Sequence, residues 1–320
     1  MAIGSGLSAQ LGMKAESTYG TAVTVDRWFE FTKESIVPVY EDIDSQAIGR
    51  GRVLGADRTK RVIVGYTGDI EFEITNKNFG LIYQHMLGQN TVTGTTERTH
   101  TCILDALAQQ GKSMTVQIGR PSIDGTVQPF TYAGGKITKW ELSAAIGEKL
   151  MLTTSWDFKS MLTATALATP SYVASQEMYI FNELAVTYGG DVFHTKSMKI
   201  GADPKLDTDR RFSSQVKKEP LAGGMTDITG ELEGEFESLT MYNNTVAGTQ
   251  AAMVFTFTLA TLMATNPFKI EITLPVAQML TAEPKVESPE IIKLPLPFRV
   301  LDDRTNPPIT LASHTTDTAA

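Results

Sequence analysis

The feature that most constrains the fold of this chain is a change of hydrophobic period between residues 65 and 88. Apolar and acidic residues alternate over residues 69–74, so the two kinds of side chain fall on opposite faces of a predicted β-strand. The acidic face carries Asp69, Glu71 and Glu73. Directly afterwards the apolar residues recur every three or four positions, which predicts a short amphipathic helix over residues 79–86. The predicted unit is therefore a strand with one row of carboxylates, followed by a helix.

The strand pattern occurs a second time. Residues 229–236 repeat the pattern of residues 67–74, and both copies begin with Thr-Gly. The second row of carboxylates consists of Glu231, Glu233 and Glu235. The offset between the copies is 162 residues, and it extends upstream without a gap, because Ser35 aligns with Ser197. The recurrence indicates an internal repeat.

The repeat also extends downstream. Residues 143–160 align with residues 285–302 at a smaller offset of 142, so one loop is shorter in the second copy. We interpret the pattern as a tandem duplication of one β-rich module. The first module with an N-terminal arm is expected over residues 1–165, and the second with a C-terminal strand and a short tail over residues 166–320. Residues 163–175, with their Ala/Thr run, are the expected linker.

Outside these units, period-two alternation and turn residues predict further strands. They cover residues 27–31, 35–42, 113–118, 135–144, 149–158, 253–259, 268–274 and 309–312. Gly189-Gly190 predicts the turn of a hairpin. Residues 1–20 are expected to form an arm, and residues 90–99 a Thr/Gly-rich connection.

Two local signals refine these strands. Ile137 is out of phase with Trp140 and Leu142, which indicates a β-bulge. Pro295 and Pro297 occupy alternate positions, so both missing N–H donors lie on the same side of their strand. That side cannot pair fully, which favours a sheet edge or a contact made by side chains.

Composition limits the classes of function. A length of 320 residues suits two domains, and 42% hydrophobic and 20% charged residues are typical of a folded protein. The net charge of −8 argues against wrapping nucleic acid, which needs a basic surface. It is compatible with surrounding nucleic acid without adhesion. No secretion signal or membrane-spanning stretch is expected.

Two charged loops occupy corresponding positions in the two copies, at residues 44–61 and 207–224. The first charged loop carries Arg50, Arg52, Asp57, Arg58 and Lys60, and the second charged loop carries Asp209, Arg210, Arg211, Lys217 and Lys218. A basic, Gly-rich loop can contact nucleic acid. A solvated or protein-contacting hairpin is the preferred interpretation.

The sequence offers few catalytic groups. The histidines His85, His100, His194 and His314 lie far apart without metal-ligand spacing, and Cys102 is the single cysteine. We therefore expect no catalytic residue, no metal site and no cofactor. The carboxylate rows have three possible interpretations: an acid/base pair or calcium site, a solvated strand face, or an acidic surface with a function.

The chain resembles the tail tube proteins of long-tailed, siphovirus-like bacteriophages. The resemblance rests on residues 6–21, residues 29–36, the Thr-Gly strand at 67–71 with its helix, the Gly189-Gly190 hairpin and the strand at 290–298. It implies a mainly β fold, in which each module has two packed β-sheets and a flanking helix. It also implies rings with a continuous inner β-barrel, stacked into the tube through which the genome leaves the head.

The resemblance and the repeat together suggest an assembly. With two modules per chain, three chains are expected to form a pseudo-hexameric ring. The two carboxylate rows are expected to line the lumen, where double-stranded DNA passes without specific binding, and the two charged loops to contact the neighbouring ring. Further expected partners are the tape measure protein and the tail terminator and tip proteins. The expected location is the virion tail, after assembly in the host cytoplasm.

Two alternatives have different functions. A related ring-forming tail or secretion-tube component would share the fold. A two-domain β-sandwich binding module would be monomeric with a ligand groove. An enzyme is the least favoured class.

Overall fold

The computed structural model describes residues 4–48, 53–105, 107, 109–212, 216–286, 289 and 291–318. Within these ranges the chain is mainly β-strand, as the sequence predicts, with two α-helices. In the first half the strands are β1 (Gln10–Glu16), β2 (Arg27–Phe29), β3 (Lys33–Glu34), β4 (Val37–Asp44), β5 (Thr59–Glu73), β6 (Gly88–Thr93), β7 (Arg98–Leu104), β8 (Ser113–Pro121), β9 (Val127–Ala145), β10 (Met151–Phe158) and β11 (Ser160–Leu162). The helix α1 covers Gly80–Leu87.

The second half contains a similar series. Its strands are β12 (Leu184–Tyr188), β13 (Asp191–Phe193), β14 (Ser197–Asp203), β15 (Leu206–Asp207), β16 (Leu221–Ala222), β17 (Asp227–Glu235), β18 (Gln250–Leu262), β19 (Pro267–Met279), β20 (Lys293–Val300) and β21 (Thr310–Thr315). The helix α2 covers Thr240–Val246. The predicted hairpin is confirmed between β12 and β13, where Gly189 and Gly190 both adopt positive φ.

One antiparallel sheet runs through both halves, and we call it the spanning sheet. Its strand order is β3/β4, β5, β10, β9, β14, β17 and β20. The two halves join where β9 pairs with β14 over six residue pairs, from Ala145–Ser197 to Trp140–Ala202. The join is made by main-chain hydrogen bonds and not only by side chains.

Two further sheets pack against the spanning sheet. The first flanking sheet contains β2, β1, β8, β9 and β11, and the second contains β13, β12, β18, β19, β21, β7 and β6. The long strands β9 and β19 pass from a flanking sheet into the spanning sheet. In β9 the passage lies next to the predicted bulge, because Lys139 pairs with Ser155 while Ile137 pairs with Trp156.

The core fills the space between the sheets. Its largest fully buried side chains include Phe72, Trp140, Trp156, Phe255 and Phe298. Trp156 and Phe158 stack at 5.6 Å between ring centroids. Burial of such aromatic side chains is a main source of stability in a β-sandwich.

Most of the pairings in the first half recur in the second. The pairs β1–β2, β1–β8, β8–β9, β5–β10 and β10–β9 correspond to β12–β13, β12–β18, β18–β19, β17–β20 and β20–β19. The hairpin β6–β7 has no counterpart among the described residues of the second half. The strand β21 pairs with β7, so this hairpin extends the second flanking sheet.

Two predicted irregular segments are in fact strands. The described part of the predicted arm, residues 4–20, contains a core strand, because β1 lies between β2 and β8 with Leu11 and Met13 fully buried. Gly12 between them obscures the alternation, but it lets Val25 approach closely. Residues 90–99 are not a simple connection either, since they carry parts of the β6–β7 hairpin. Its Thr-rich strands become stable by pairing with the distant β21, which local pattern cannot show.

The gapless upstream alignment of the two copies is also wrong by two residues. Lys33 pairs with Glu71, whereas Ser197 pairs with Glu233. The counterpart of Lys33 is therefore Ser197, so the offset is 164 at β3 and 162 at β5. The final strand is longer than predicted, because β21 reaches Thr315 whereas the predicted strand ends at residue 312.

Gly68 and Gly230, the glycines of the two Thr-Gly pairs, lie at equivalent points where the backbone of a neighbouring segment approaches closely. A Cβ at Gly68 would lie 2.5 Å from the Ile36 Cα, and one at Gly230 would lie 2.4 Å from the Lys199 carbonyl oxygen. Both approaches involve backbone atoms, which cannot rotate away.

We predict that Gly68→Ala and Gly230→Ala each lower the free energy of unfolding by about 1–3 kcal/mol through overpacking. Urea unfolding followed by tryptophan fluorescence measures this. Gly6→Ala is the control, because no heavy atom lies within 4 Å of its added Cβ, and it should change the free energy by less than about 0.5 kcal/mol. Equal unfolding midpoints for all three variants would contradict the close-contact explanation.

Candidate functional site

The two carboxylate rows lie on one continuous face of the spanning sheet. In β5, Asp69, Glu71 and Glu73 alternate with buried Ile70 and Phe72, and in β17 Glu231 and Glu233 flank buried Leu232. Residues directly opposite each other on neighbouring strands share a face. Glu73 pairs with Met151, Met151 with Ser143, Ser143 with Lys199, and Lys199 with Glu231. We call this surface the charged face.

The path across the sheet also reveals a stagger. It leads from Glu73 in β5 to Glu231 in β17, but the counterpart of Glu231 in the sequence repeat is Asp69. The two rows are therefore displaced by four residues along the strands over four strand-to-strand steps. Such a stagger is the shear of a sheet that tilts relative to a barrel axis.

Lysines neutralise most of the carboxylates in these rows. Glu71 binds Lys33 at 3.1 Å, Glu235 binds Lys196 at 2.6 Å, and Glu233 binds Lys293 at 3.4 Å between nitrogen and oxygen. Glu73 also binds Lys149. For Asp69 and Glu231 the described part of the chain shows no ion pair.

Further ion pairs lie on the same face between the two rows. Lys199 binds Glu141 at 3.0 Å, and Lys205 binds both Asp203 and Asp227. These lysines come from strands and loops other than β5 and β17, so the sequence pattern of one strand does not reveal them. The charged face is therefore mixed in sign and not purely acidic.

The first charged loop forms the end of the long β4–β5 hairpin. Arg50 and Arg52 lie outside the described residues. Asp57, Arg58 and Lys60 are exposed, and the Arg58 side chain lies 3.8 Å from the Asp57 carboxylate. Arg61 and Asp42 form a bidentate ion pair at 2.7 and 2.8 Å, which lowers the pKa of the Asp42 carboxyl.

The same hairpin exposes apolar side chains. Val39, Tyr40, Ile43 and Ile63 are each at least one-third exposed. A cluster of this kind on a projecting hairpin is typical of a surface that another protein covers.

The second charged loop contacts the β4–β5 hairpin, which carries the first charged loop at its end. Arg211 binds Glu41 of β4 at 2.9 Å and Asp209 at 2.7 Å, and the Lys218 amide donates to the Arg210 carbonyl at 2.8 Å. The second charged loop thus lies against the hairpin whose end is the first charged loop.

Lys217 has a different position from its exposed neighbours. It is 5% exposed, and its ammonium binds the Asp157 carboxylate of β10 at 2.6 Å. Burial raises the pKa of the Asp157 carboxyl, and the Lys217 ammonium opposes that rise. Lys217 anchors the base of the second charged loop to the spanning sheet.

The described residues contain no group of three or more His, Cys, Asp and Glu side chains that could hold a metal ion. Cys102 is fully buried, and burial raises the pKa of its thiol to about 12. The His85 Nδ1 atom lies 2.9 Å from the Leu81 carbonyl oxygen of the same helix, to which it can donate a hydrogen bond. Neither helix of the described chain has the length and apolar character needed to cross a membrane.

Comparison with known proteins gives one family. The family model described as "Phage tail tube protein" matches residues 6–300, which is most of the chain. No curated protein matches the chain. The matched region includes the charged face and both charged loops.

The buried pair generates a stability prediction. Lys217→Met leaves the Asp157 carboxylate buried without a partner, so we expect the free energy of unfolding to fall by about 3 kcal/mol. Chemical denaturation measures it. Lys218→Met is the matched control, because Lys218 is exposed and should contribute little.

The double variant Lys217→Met with Asp157→Asn removes both charges and should recover part of the loss. Unfolding midpoints that do not distinguish Lys217→Met from Lys218→Met would show that the pair does not anchor the loop.

Proposed function

Because this chain belongs to the phage tail tube protein family, we propose that three copies close into a pseudo-hexameric ring and that these rings stack into the tail tube. The family makes the chain a structural component of the virion tail. The proposal adds the number of chains per ring, the stacking, and the use of the tube as the conduit for genome ejection.

The observation that carries the proposal is the spanning sheet with its two open edges. The sheet joins the two halves of one chain edge to edge, through β9 and β14. It ends at β3/β4 on one side and at β20 on the other, where only residues 277–279 at the end of β19 pair with β20. The described residues provide no strand beyond β3/β4 and none that covers the rest of the outer edge of β20. Joining chains at these edges as the halves are joined would close the sheet and remove its exposed edges.

The stagger supports a closed barrel of suitable size. The path from β5 to its equivalent strand β17 crosses four strand-to-strand steps with a shear of four residues, which is the contribution of one repeat. Six halves would give about 24 strands with a shear of about 24, hence a strand tilt of about 35° and a backbone diameter of about 44 Å. That tilt is normal for β-barrels, and the lumen would admit duplex DNA.

In this ring the charged face lines the lumen. The core and flanking sheets lie on the other side of the spanning sheet, so the charged face is the side that remains for the interior. DNA phosphates would attract unpaired lysines strongly. Because Lys33, Lys149, Lys196 and Lys293 are held by carboxylates, the face offers few cations for phosphate binding.

The charged loops are the proposed contact between rings. The exposed apolar residues of the β4–β5 hairpin and the charges at its end support this role, and Arg211 connects the second charged loop to the same site. Lys217 acts indirectly, by holding the loop in place. The tape measure protein inside the tube and the terminator and tip proteins at its ends are further proposed partners, with assembly in the host cytoplasm.

Negative-stain electron microscopy of the concentrated protein tests the proposal. We expect hollow tubes, with end-on averages that show sixfold density built from three chains, and an inner wall consistent with the 44 Å estimate. A variant with residues 46–57 replaced by a two-residue turn should give single rings that do not stack. Discrete particles without a central hole would refute the ring, and normal tubes from the variant would refute the stacking role.

A charge reversal tests the lumen assignment. Glu71→Lys combined with Glu233→Lys removes two ion pairs and leaves Lys33 and Lys293 beside new lysines, so we expect the tubes to retain short duplex DNA at low salt and release it at high salt. Co-sedimentation of labelled duplex with tubes measures retention.

The matched control is Asp191→Lys, an exposed carboxylate in the β12–β13 hairpin of a flanking sheet. It should leave retention at the level of the unmodified protein. Equal retention by both variants would place the charged face outside the lumen.

A further inference from the structure

We infer that residues 281–286, which are irregular in the single chain, become a β-strand that pairs with residues 34–38 of a second copy of this chain in a fixed antiparallel register. The inference rests on the proposed ring, and it names the segments that form the seam between chains. In this register Ala282 lies opposite Pro38, Pro284 opposite Ile36, and Val286 opposite Glu34.

The internal β9–β14 join is the template. Ile137 of β9 pairs with Trp156 of β10, and Met279 of β19 pairs with Phe298 of β20. Because Trp156 and Phe298 are equivalent residues of the two copies, Ile137 and Met279 occupy equivalent places. Beyond this point β9 continues as a strand to Ala145. The strand β19 ends at Met279, and residues 281–286 have no strand pairing.

The other side of the seam also follows from the template. Lys33 of β3 pairs with Glu71, and Ser197 of β14 pairs with Glu233, which is the equivalent residue of the second copy. The β3/β4 edge of the first half is therefore equivalent to β14 of the second half. The side of β14 that faces β9 therefore corresponds to the open side of β3/β4.

Hydrogen-bond directions agree with this assignment. The Ser35 amide donates to Asp69 of β5 at 2.9 Å, so the amide of Ile36 points away from β5. In the single chain that amide donates to the Glu34 carboxylate at 3.1 Å. In the seam it would donate to the Pro284 carbonyl instead.

Prolines explain why the segment is not a strand in the single chain. The Leu280 amide donates to the Pro297 carbonyl at 2.8 Å, so the side of β20 with the missing proline donors faces the start of this segment. Pro295 and Pro297 can accept from the segment but cannot donate to it. One edge alone offers too few hydrogen bonds, and a second edge from another copy supplies the rest.

The exposure of side chains on both sides of the seam supports the same pairing. Val286 is 80% exposed, while its counterpart Ala144 in β9 is 4% exposed against the core. Val37 is 56% exposed and would face Glu283 across the seam. Ala282 is already buried in the single chain, as is its counterpart Trp140 in β9. The beginning of the segment therefore already has the burial that the template predicts.

Cysteine pairs test the register. Glu283 and Val37 form a non-hydrogen-bonded pair, in which Cα atoms lie about 4.5 Å apart, within the range for a disulfide. We expect Glu283→Cys with Val37→Cys, assembled into tubes and mildly oxidised, to run mainly as linked dimers and trimers on a non-reducing gel. Trimers should be the largest species, because three seams close a ring.

The matched control is Lys285→Cys with Val39→Cys, which also uses exposed positions on the same strands but lies roughly 13 Å out of register. It should remain monomeric. Within one chain both pairs lie at opposite ends of the spanning sheet, so an internal bridge cannot form.

Hydrogen exchange of the unmodified protein gives a second measurement. The amides of residues 281–286 should exchange quickly in the monomer and slowly in tubes. Tubes of three-chain rings in which this segment stays unprotected, or in which only the out-of-register pair is linked, would overturn the seam and leave the proposed function intact. Absence of rings from the unmodified protein would instead overturn the proposed function, and the seam with it.

Discussion

The pairing of backbone groups at the edges of the spanning sheet is the constraint on which the rest of this structure depends. A sheet of this length that exposed both edges would invite non-specific pairing. The chain limits this hazard by composition, because Pro38 lies at one open edge and Pro295 and Pro297 at the other. Each proline removes a donor but keeps an acceptor, so the edges accept only partners that supply donors at the correct positions. An edge of this kind favours one register over many.

The two halves depend on each other because strands are shared between them. The spanning sheet crosses from β9 to β14, and β21 from the end of the chain pairs with β7 from the first half. Buried charges add specific links: Lys217 binds Asp157, and Lys136 binds Glu219 at 2.5 Å. A buried ion pair contributes little net stability compared with apolar packing, but breaking it is costly. These links therefore fix the position of the second charged loop more than they stabilise the fold.

Local sequence pattern predicted the elements that local physics controls. The strand with alternating carboxylates, the helix ending before Gly88, the Gly189-Gly190 hairpin and the bulge near Ile137 were all predicted correctly. The failures have non-local causes. β1 and the β6–β7 hairpin gain their stability from partners about a hundred or more residues away. The constant offset of 162 residues fails at β3, because the register of the sheet, and not the spacing in the sequence, decides which residues of the two copies are equivalent.

The ion pairs of the charged face also have non-local causes, and they have a consequence for function. Four of its six predicted carboxylates bind lysines from other strands and from loops, which only the three-dimensional register brings together. Exposed ion pairs contribute about 0–1 kcal/mol each, so stability does not account for a whole row of them. Their electrostatic effect is short-ranged, since charges are screened beyond about 8 Å at physiological ionic strength. In the proposed ring, in which the charged face lines the lumen, a passing DNA duplex would therefore respond to each pair locally and meet paired charges that offer little to bind. A purely acidic lumen would repel DNA and also repel itself across the closed ring, whereas a compensated lumen avoids adhesion without that cost to assembly.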